Sequence, residues 1–220
     1  MFAYVFQFYK TSLPDERQGK NSFQIKIKEI DLKKEVQYEY GYMNMTFVDL
    51  SIVSPQKENK TISHYAHLFP FERTNILVID DFHVYRAYRG RGIGTELLSK
   101  LLVVFHGMKG VDYITLSPSP TDSRKKGKNY SLEYEDLQLE KFFEKFDFQT
   151  YYHDSNQKIM RLKTFYSSYK LVGPISSLVT HQRINQLMFS FFFYIKDDGT
   201  QTLDYLDSSR CRKIFPHEFV

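Results

Sequence analysis

Blocks dense in apolar residues alternate with polar stretches along the first third of the chain. Phe2–Phe8, Phe23–Ile30 and Val36–Val53 are rich in aromatic and β-branched residues, which predicts strands. Thr11–Ser22, Asp31–Glu35 and Ser54–Asn75 separate them. The last of these is long for a connection without structure of its own, and such loops often wall a functional site.

Ile76–Tyr85 opens with a nearly unbroken apolar run, as expected for a strand buried on both faces. Leu97, Leu98, Leu101, Leu102 and Phe105 then recur at helical spacing, predicting a helix over Thr95–Phe105 that Gly107 or Gly110 stops. Val111–Ser117 is the next strand, ended by Pro118 and Pro120. Strand, helix and strand in this order imply a parallel pair. Leu137, Phe142, Phe143 and Phe146 lie along one side of a helix within Leu132–Phe146, and Phe148–Tyr152 begins another strand. Beyond Thr164 the pattern changes: Ile175–Met188 reads as a helix, and Met188–Ile195 and Thr200–Leu206 flank a KDDG hairpin signal. The expected division is residues 1–164 as one domain and 165–220 as an extension, packed on it or at a dimer interface.

At 220 residues the chain is long enough for one sizeable core. A formal charge of +4 gives a mild preference for anionic ligands. Cys211 is the single cysteine, which excludes an intrachain disulfide and fits a reducing compartment, with cytoplasm the default. The opening MFAYVFQFYK reads as a strand rather than a signal peptide, and the longest apolar run, Leu187–Ile195, is too short to cross a bilayer. No membrane partner is expected.

Between the Ile76–Tyr85 strand and the following helix stands RGRGIG. Glycines at 90, 92 and 94 free a strand-to-helix turn of side chains, so successive amides can converge on an anion at the positive end of the helix. Arg89 and Arg91 add charge, and a pyrophosphate is the natural guest. The dinucleotide fingerprint fails, because Thr95 or Leu97 occupies the third glycine position, and no P-loop string occurs.

Arg89-Gly90-Arg91-Gly92-Ile93-Gly94 fits R-x-x-G-x-G and resembles the coenzyme A loop of the GNAT superfamily of N-acetyltransferases. FHVYRAYRGRGIGTELLSKLL, YITLSPSP and EKFFEKFDF resemble the family's strand-loop-helix, next strand and closing helix and strand, so the likeness covers about Ile76–Tyr152. It implies an α/β (α+β) fold: a mixed, largely antiparallel central sheet with a splayed parallel strand pair, flanked by helices. It also implies acetyl-CoA as cofactor, its pyrophosphate on the amides of Arg89, Gly90, Arg91, Gly92, Ile93, Gly94 and Thr95, and its pantetheine arm on the main chain of Phe82, His83 and Val84. A small-molecule or protein amine then attacks the thioester directly, which needs a base, oxyanion donors and an acid.

The resemblance points to Asp80 and Asp81 for the base. Strand alternation lets one of the two face the amine; equally, either can cap the strand end or pair with a basic residue. Phe143 stands where the family often has a tyrosine acid, so solvent, Tyr130 or Tyr134 has to supply that proton. Asp136 stands near the family's asparagine and Asp147 at its glycine. His64 and His67 read as ordinary loop residues rather than metal ligands, and no metal is expected. Arg124, Lys125, Lys126 and Lys128 read first as a solvated loop, next as a contact for the cofactor's 3′-phosphate, and last as a grip on RNA. The competing functions are an N-acetyltransferase, a non-catalytic coenzyme A or acyl-CoA binding module, and an acetyltransferase for RNA-linked amines. A homodimer through the carboxy-terminal hairpin is the other partner expected.

Overall fold

A computed structural model describes residues 2–11, 20–31, 36–49, 75–106, 111–118, 132–153, 158–164, 187–195 and 201–207. Nine strands are found there: β1 (Phe2–Lys10), β2 (Lys20–Asp31), β3 (Val36–Asp49), β4 (Asn75–Val84), β5 (Tyr113–Leu116), β6 (Gln149–His153), β7 (Lys158–Lys163), β8 (Leu187–Ile195) and β9 (Gln201–Asp207). Two α-helices accompany them, α1 (Ile93–His106) and α2 (Leu132–Glu144). They form one mixed sheet in the order β6-β7-β5-β4-β3-β2-β1-β8-β9. Only β4 and β5 pair in parallel; the other neighbours are antiparallel. The fold is therefore the mixed, largely antiparallel sheet flanked by helices that the resemblance implies.

Alternation decides which residues of β1–β4 meet the helices. Phe6, Phe8, Ile25, Ile27, Met43, Met45, Leu77 and Ile79 share one face and are almost fully buried with Leu97, Leu98, Leu101 and Phe105 of α1. Fully burying each such side chain contributes roughly 1.5–3 kcal/mol. The opposite face of β1–β4 carries Gln7, Lys26, Gln24, Tyr42, Asn44 and Thr46 beside the buried Val5, Val48, Ile76 and Val78.

β7 has no counterpart in the sequence reading, because KIMRLK is short and does not alternate; its Ile159, Met160 and Leu162 are buried between β5 and β6. β8 pairs with β1 along its length, so the hairpin of the extension continues the same sheet. Residues 175–186 of the expected Ile175–Met188 helix lie outside the described residues, but its last two, Leu187 and Met188, belong to β8, where pairing with β1 holds them extended. The 54–74 loop with His64 and His67, the basic loop at 121–129, Tyr130 and Cys211 also lie outside the described residues. Among the described residues, no helix is long and apolar enough to cross a membrane.

Gly41 faces the end of β4. A Cβ there would fall on the His83 carbonyl oxygen. Gly41→Ala is expected to lower unfolding stability by about 1–3 kcal/mol, the usual effect of overpacking against backbone. Urea unfolding followed by circular dichroism measures it, and an unchanged midpoint would show that β3 and β4 part at no cost.

Candidate active site

β4 and β5 stay paired only from Ile76 opposite Tyr113 to Ile79 opposite Leu116. Beyond that point β4 runs on to Val84 with β3 alone, pairing Phe82 with Met43 and Val84 with Gly41. The strands have splayed, and the β5-side edge of β4 opens into a cleft of about 730 Å³, within the range of small-molecule sites. Ile79–Val84 form one wall, Leu116 and Ser117 a second, and Leu139, Phe142 and Phe143 of α2 a third.

The cleft ends at the turn before α1. Gly90 and Gly92 have φ of +76° and +77°, a region that favours glycine, and a Cβ at either would meet nothing within 4 Å. The first hydrogen bond of α1 runs from Glu96 N–H to the Gly92 carbonyl at 3.1 Å. Ile93, Gly94 and Thr95 thus occupy the first helical positions, whose amides have no intrahelical acceptor and carry the positive end of the helix dipole. Gly90, Gly92, Gly94 and Thr95 line the cleft. These amides, with the exposed Arg89 and Arg91, fit a diphosphate. Glu96 would oppose an anion there, but Lys100 holds its carboxylate at 3.1 Å and itself lies over the Tyr4 ring. The 3₁₀ turn Arg86–Tyr88 is anchored by Tyr88 against Tyr40, whose hydroxyl donates to Glu29 at 2.5 Å.

Arg89 does more than supply charge. Its Nε donates to the Val84 carbonyl at 2.7 Å, and its guanidinium lies beside the His83 ring. Phe82 and Val84 turn toward the core, whereas His83 stacks on Tyr42 across the opposite face, with centroids 5.2 Å apart. Tyr85 joins this group; its hydroxyl donates to Glu39 at 2.5 Å, a bond that pushes its pKa up to about 12.

Simple alternation fails at Asp80 and Asp81. The β3–β4 register pairs Met45 with Ile79 but Asn44 with Asp81, so Asp80 is an extra, bulged residue. Asp80 receives a hydrogen bond from Thr46 Oγ1 at 2.7 Å, and Asp81 sits opposite Asn44. Both carboxylates therefore stand on the polar face, and both line the cleft. The expectation that only one could face that side is corrected by a bulge that no residue pattern announces. Thr46 in turn contacts Ser22 Oγ at 3.0 Å. Its place on the polar face of β3 follows from alternation with Met43, Met45 and Phe47, but its contact with Asp80 does not.

Phe143 is buried at the cleft wall. Tyr134 and Asp136 fall on the opening turns of α2, and their side chains lie outside the described residues. Among the described residues no group of three or more His, Cys, Asp or Glu could hold a metal ion.

Asp147 adopts φ of +64° just after α2. Phe148 N–H bonds the Phe143 carbonyl and Asp147 N–H the Glu144 carbonyl, while the Phe143 and Phe148 rings meet at 5.8 Å. This is a Schellman termination, whose left-handed position glycine fills most easily. Asp147→Gly is expected to stabilise the protein by up to about 1 kcal/mol through relief of that strain, read as a rise in thermal midpoint; a fall would mean the Asp147 side chain makes a compensating bond.

Residues 29–125 match the family model "Acetyltransferase (GNAT) family". No curated protein matches significantly in sequence. Similar solved structures include a KacTA–DNA complex (12% identity over 67% of this chain and 69% of that one, TM-score 0.38). Others are Arabidopsis thaliana NAA60 in complex with a bisubstrate analogue (13%, 64% and 75%, 0.37) and AtaTR bound with AcCoA (11%, 66% and 71%, 0.36). Residues 29–125 are thus an acetyltransferase domain of the GNAT family.

Proposed function

We propose that the chain is an acetyl-CoA-dependent N-acetyltransferase that acylates a primary amine by direct attack in a ternary complex. The observation that carries this reading is one continuous cleft. At one end it has free helix amides behind two left-handed glycines; along its length lies an unpaired strand edge; at the other end are two carboxylates.

In this reading acetyl-CoA supplies an activated acetyl thioester when bound. The amides of Ile93, Gly94 and Thr95, with Arg89 and Arg91, hold its diphosphate, and the main chain of Phe82, His83 and Val84 holds the pantetheine arm. Arg89 has to leave the Val84 carbonyl for that pairing, which exchanges one exposed hydrogen bond for another. Asp80, oriented by Thr46, takes a proton from the incoming ammonium directly or through water, leaving a neutral nucleophile. The amine nitrogen bonds to the acetyl carbon, the carbon–sulfur bond breaks, and the nitrogen's second proton passes to solvent. The thiolate takes its proton from Tyr134 or from water, because Phe143 has none to give.

The unit we assign to this activity is residues 1–164, with 165–220 as an extension offering a homodimer surface, and the compartment is the cytoplasm. Phe143 favours a second reading, a non-catalytic module that binds coenzyme A. Calorimetry with acetyl-CoA and coenzyme A, followed by thiol release over an amine panel, separates them. Binding with transfer supports the enzyme, binding without transfer to any amine supports the module, and no binding at millimolar concentration removes both.

A further inference from the structure

The polar face of β1–β4 is organised in rows. The register aligns Gln7, Lys26, Tyr42 and His83 across four strands, and Tyr9, Gln24, Asn44 and Asp81 in the next row. Side-chain bonds knit them: Tyr9 Oη donates to Gln7 Oε1 at 3.2 Å, Gln24 Nε2 to Asn44 Oδ1 at 2.9 Å, and Thr46 to Asp80. The platform runs without interruption from the two cleft carboxylates to β1.

At its far end stand two nitrogen donors on adjacent strands. Lys26 Nζ lies over the Tyr9 ring, 4.7 Å from its centroid, and forms no salt bridge with any described carboxylate. Lys28, by contrast, sits directly opposite Glu39. Gln7 is fully buried, and its Nε2 has no acceptor among the described residues, which leaves a desolvated N–H group unmatched there. A cation and an orphaned amide donor side by side are what a carboxylate requires.

We infer that Lys26 and Gln7 form the far subsite of the acceptor site and select an amine that also carries a carboxylate, so that the acceptor is zwitterionic. The inference rests on the N-acetyltransferase reading above. Lys26 and Asp81 are separated by two strand spacings and two residues along the strand, about 12 Å between Cα atoms. With both side chains reaching inward, the amine and the carboxylate stand roughly 6–10 Å apart. Asp80 and Asp81 receive the cationic end, and Lys26 with the Gln7 amide receives the anionic end.

The test uses a series of ω-amino acids of four to eight carbons and their terminal amides, as acceptors for the full chain with acetyl-CoA. The native protein is expected to acetylate at least one amino acid tenfold or more better, in kcat/KM, than its amide. Lys26→Gln should reduce that ratio to near one with acetyl-CoA affinity unchanged, and Lys26→Arg should retain it. Gln7→Glu, which supplies an internal carboxylate beside Lys26, should also erase the preference. Equal rates for acids and amides, a preference that survives Lys26→Gln, or no transfer to any amino acid by a protein that binds acetyl-CoA would each overturn the inference. Failure to bind acetyl-CoA at all would instead strike the reading beneath it.

Discussion

Gly92→Glu is expected to weaken acetyl-CoA and coenzyme A binding by at least a hundredfold, about 2.8 kcal/mol. Gly92 has φ of +77°, so any side chain there meets backbone strain of roughly 1–2 kcal/mol. The remainder comes from a carboxylate placed among the amides that would otherwise face a diphosphate, where like charges repel with little solvent between them. Gly92→Ala separates the two effects. A methyl group at this position meets nothing within 4 Å, so this variant should lose only the strain component, no more than about tenfold. Calorimetry measures both, with a thermal melt to establish that each variant folds. Equal affinity for native protein and Gly92→Glu would mean that the turn before α1 holds no anion.

Asp80→Asn should lower kcat by about 10²–10⁴-fold, the usual contribution of a positioned general base. The amide keeps the size of the carboxylate and can still accept from Thr46, so the loss reports proton transfer rather than collapse of the bulge. Asp81→Asn is expected to lower kcat less than about tenfold, since Asp81 has no such orienting bond among the described residues. Thr46→Val should fall between them while leaving affinity for acetyl-CoA unchanged, as a positioning residue would. Steady-state rates at saturating acetyl-CoA decide the order. Full activity in Asp80→Asn would transfer the base role elsewhere, and equal large losses in both aspartate variants would make the pair act together.

Much of the scaffold is readable in the chain because it depends on short-range physics. Density of aromatic and β-branched residues placed β1–β3, a nearly unbroken apolar run placed β4, helical spacing placed α1 and α2, and the positions of the glycines in RGRGIG located the turn before α1. The boundaries moved by one to a few residues: α1 begins at Ile93 rather than Thr95, α2 ends at Glu144 rather than Phe146, and β3 ends at Asp49. β7 escaped because Lys158–Lys163 is short, carries three basic residues among its six and has no alternating pattern, and its strand character depends on burial between β5 and β6.

By itself the amino-acid sequence determined that residues 89–95 form a glycine turn between strand and helix, since glycine spacing and apolar period are local properties. Only the tertiary structure decided that Asp80 and Asp81 share a face, that Thr46 holds one of them, and that Lys26 and Gln7 stand in line with His83. Those facts depend on strand register and on one extra residue in β4, and register is set by pairing among distant segments that no local pattern encodes.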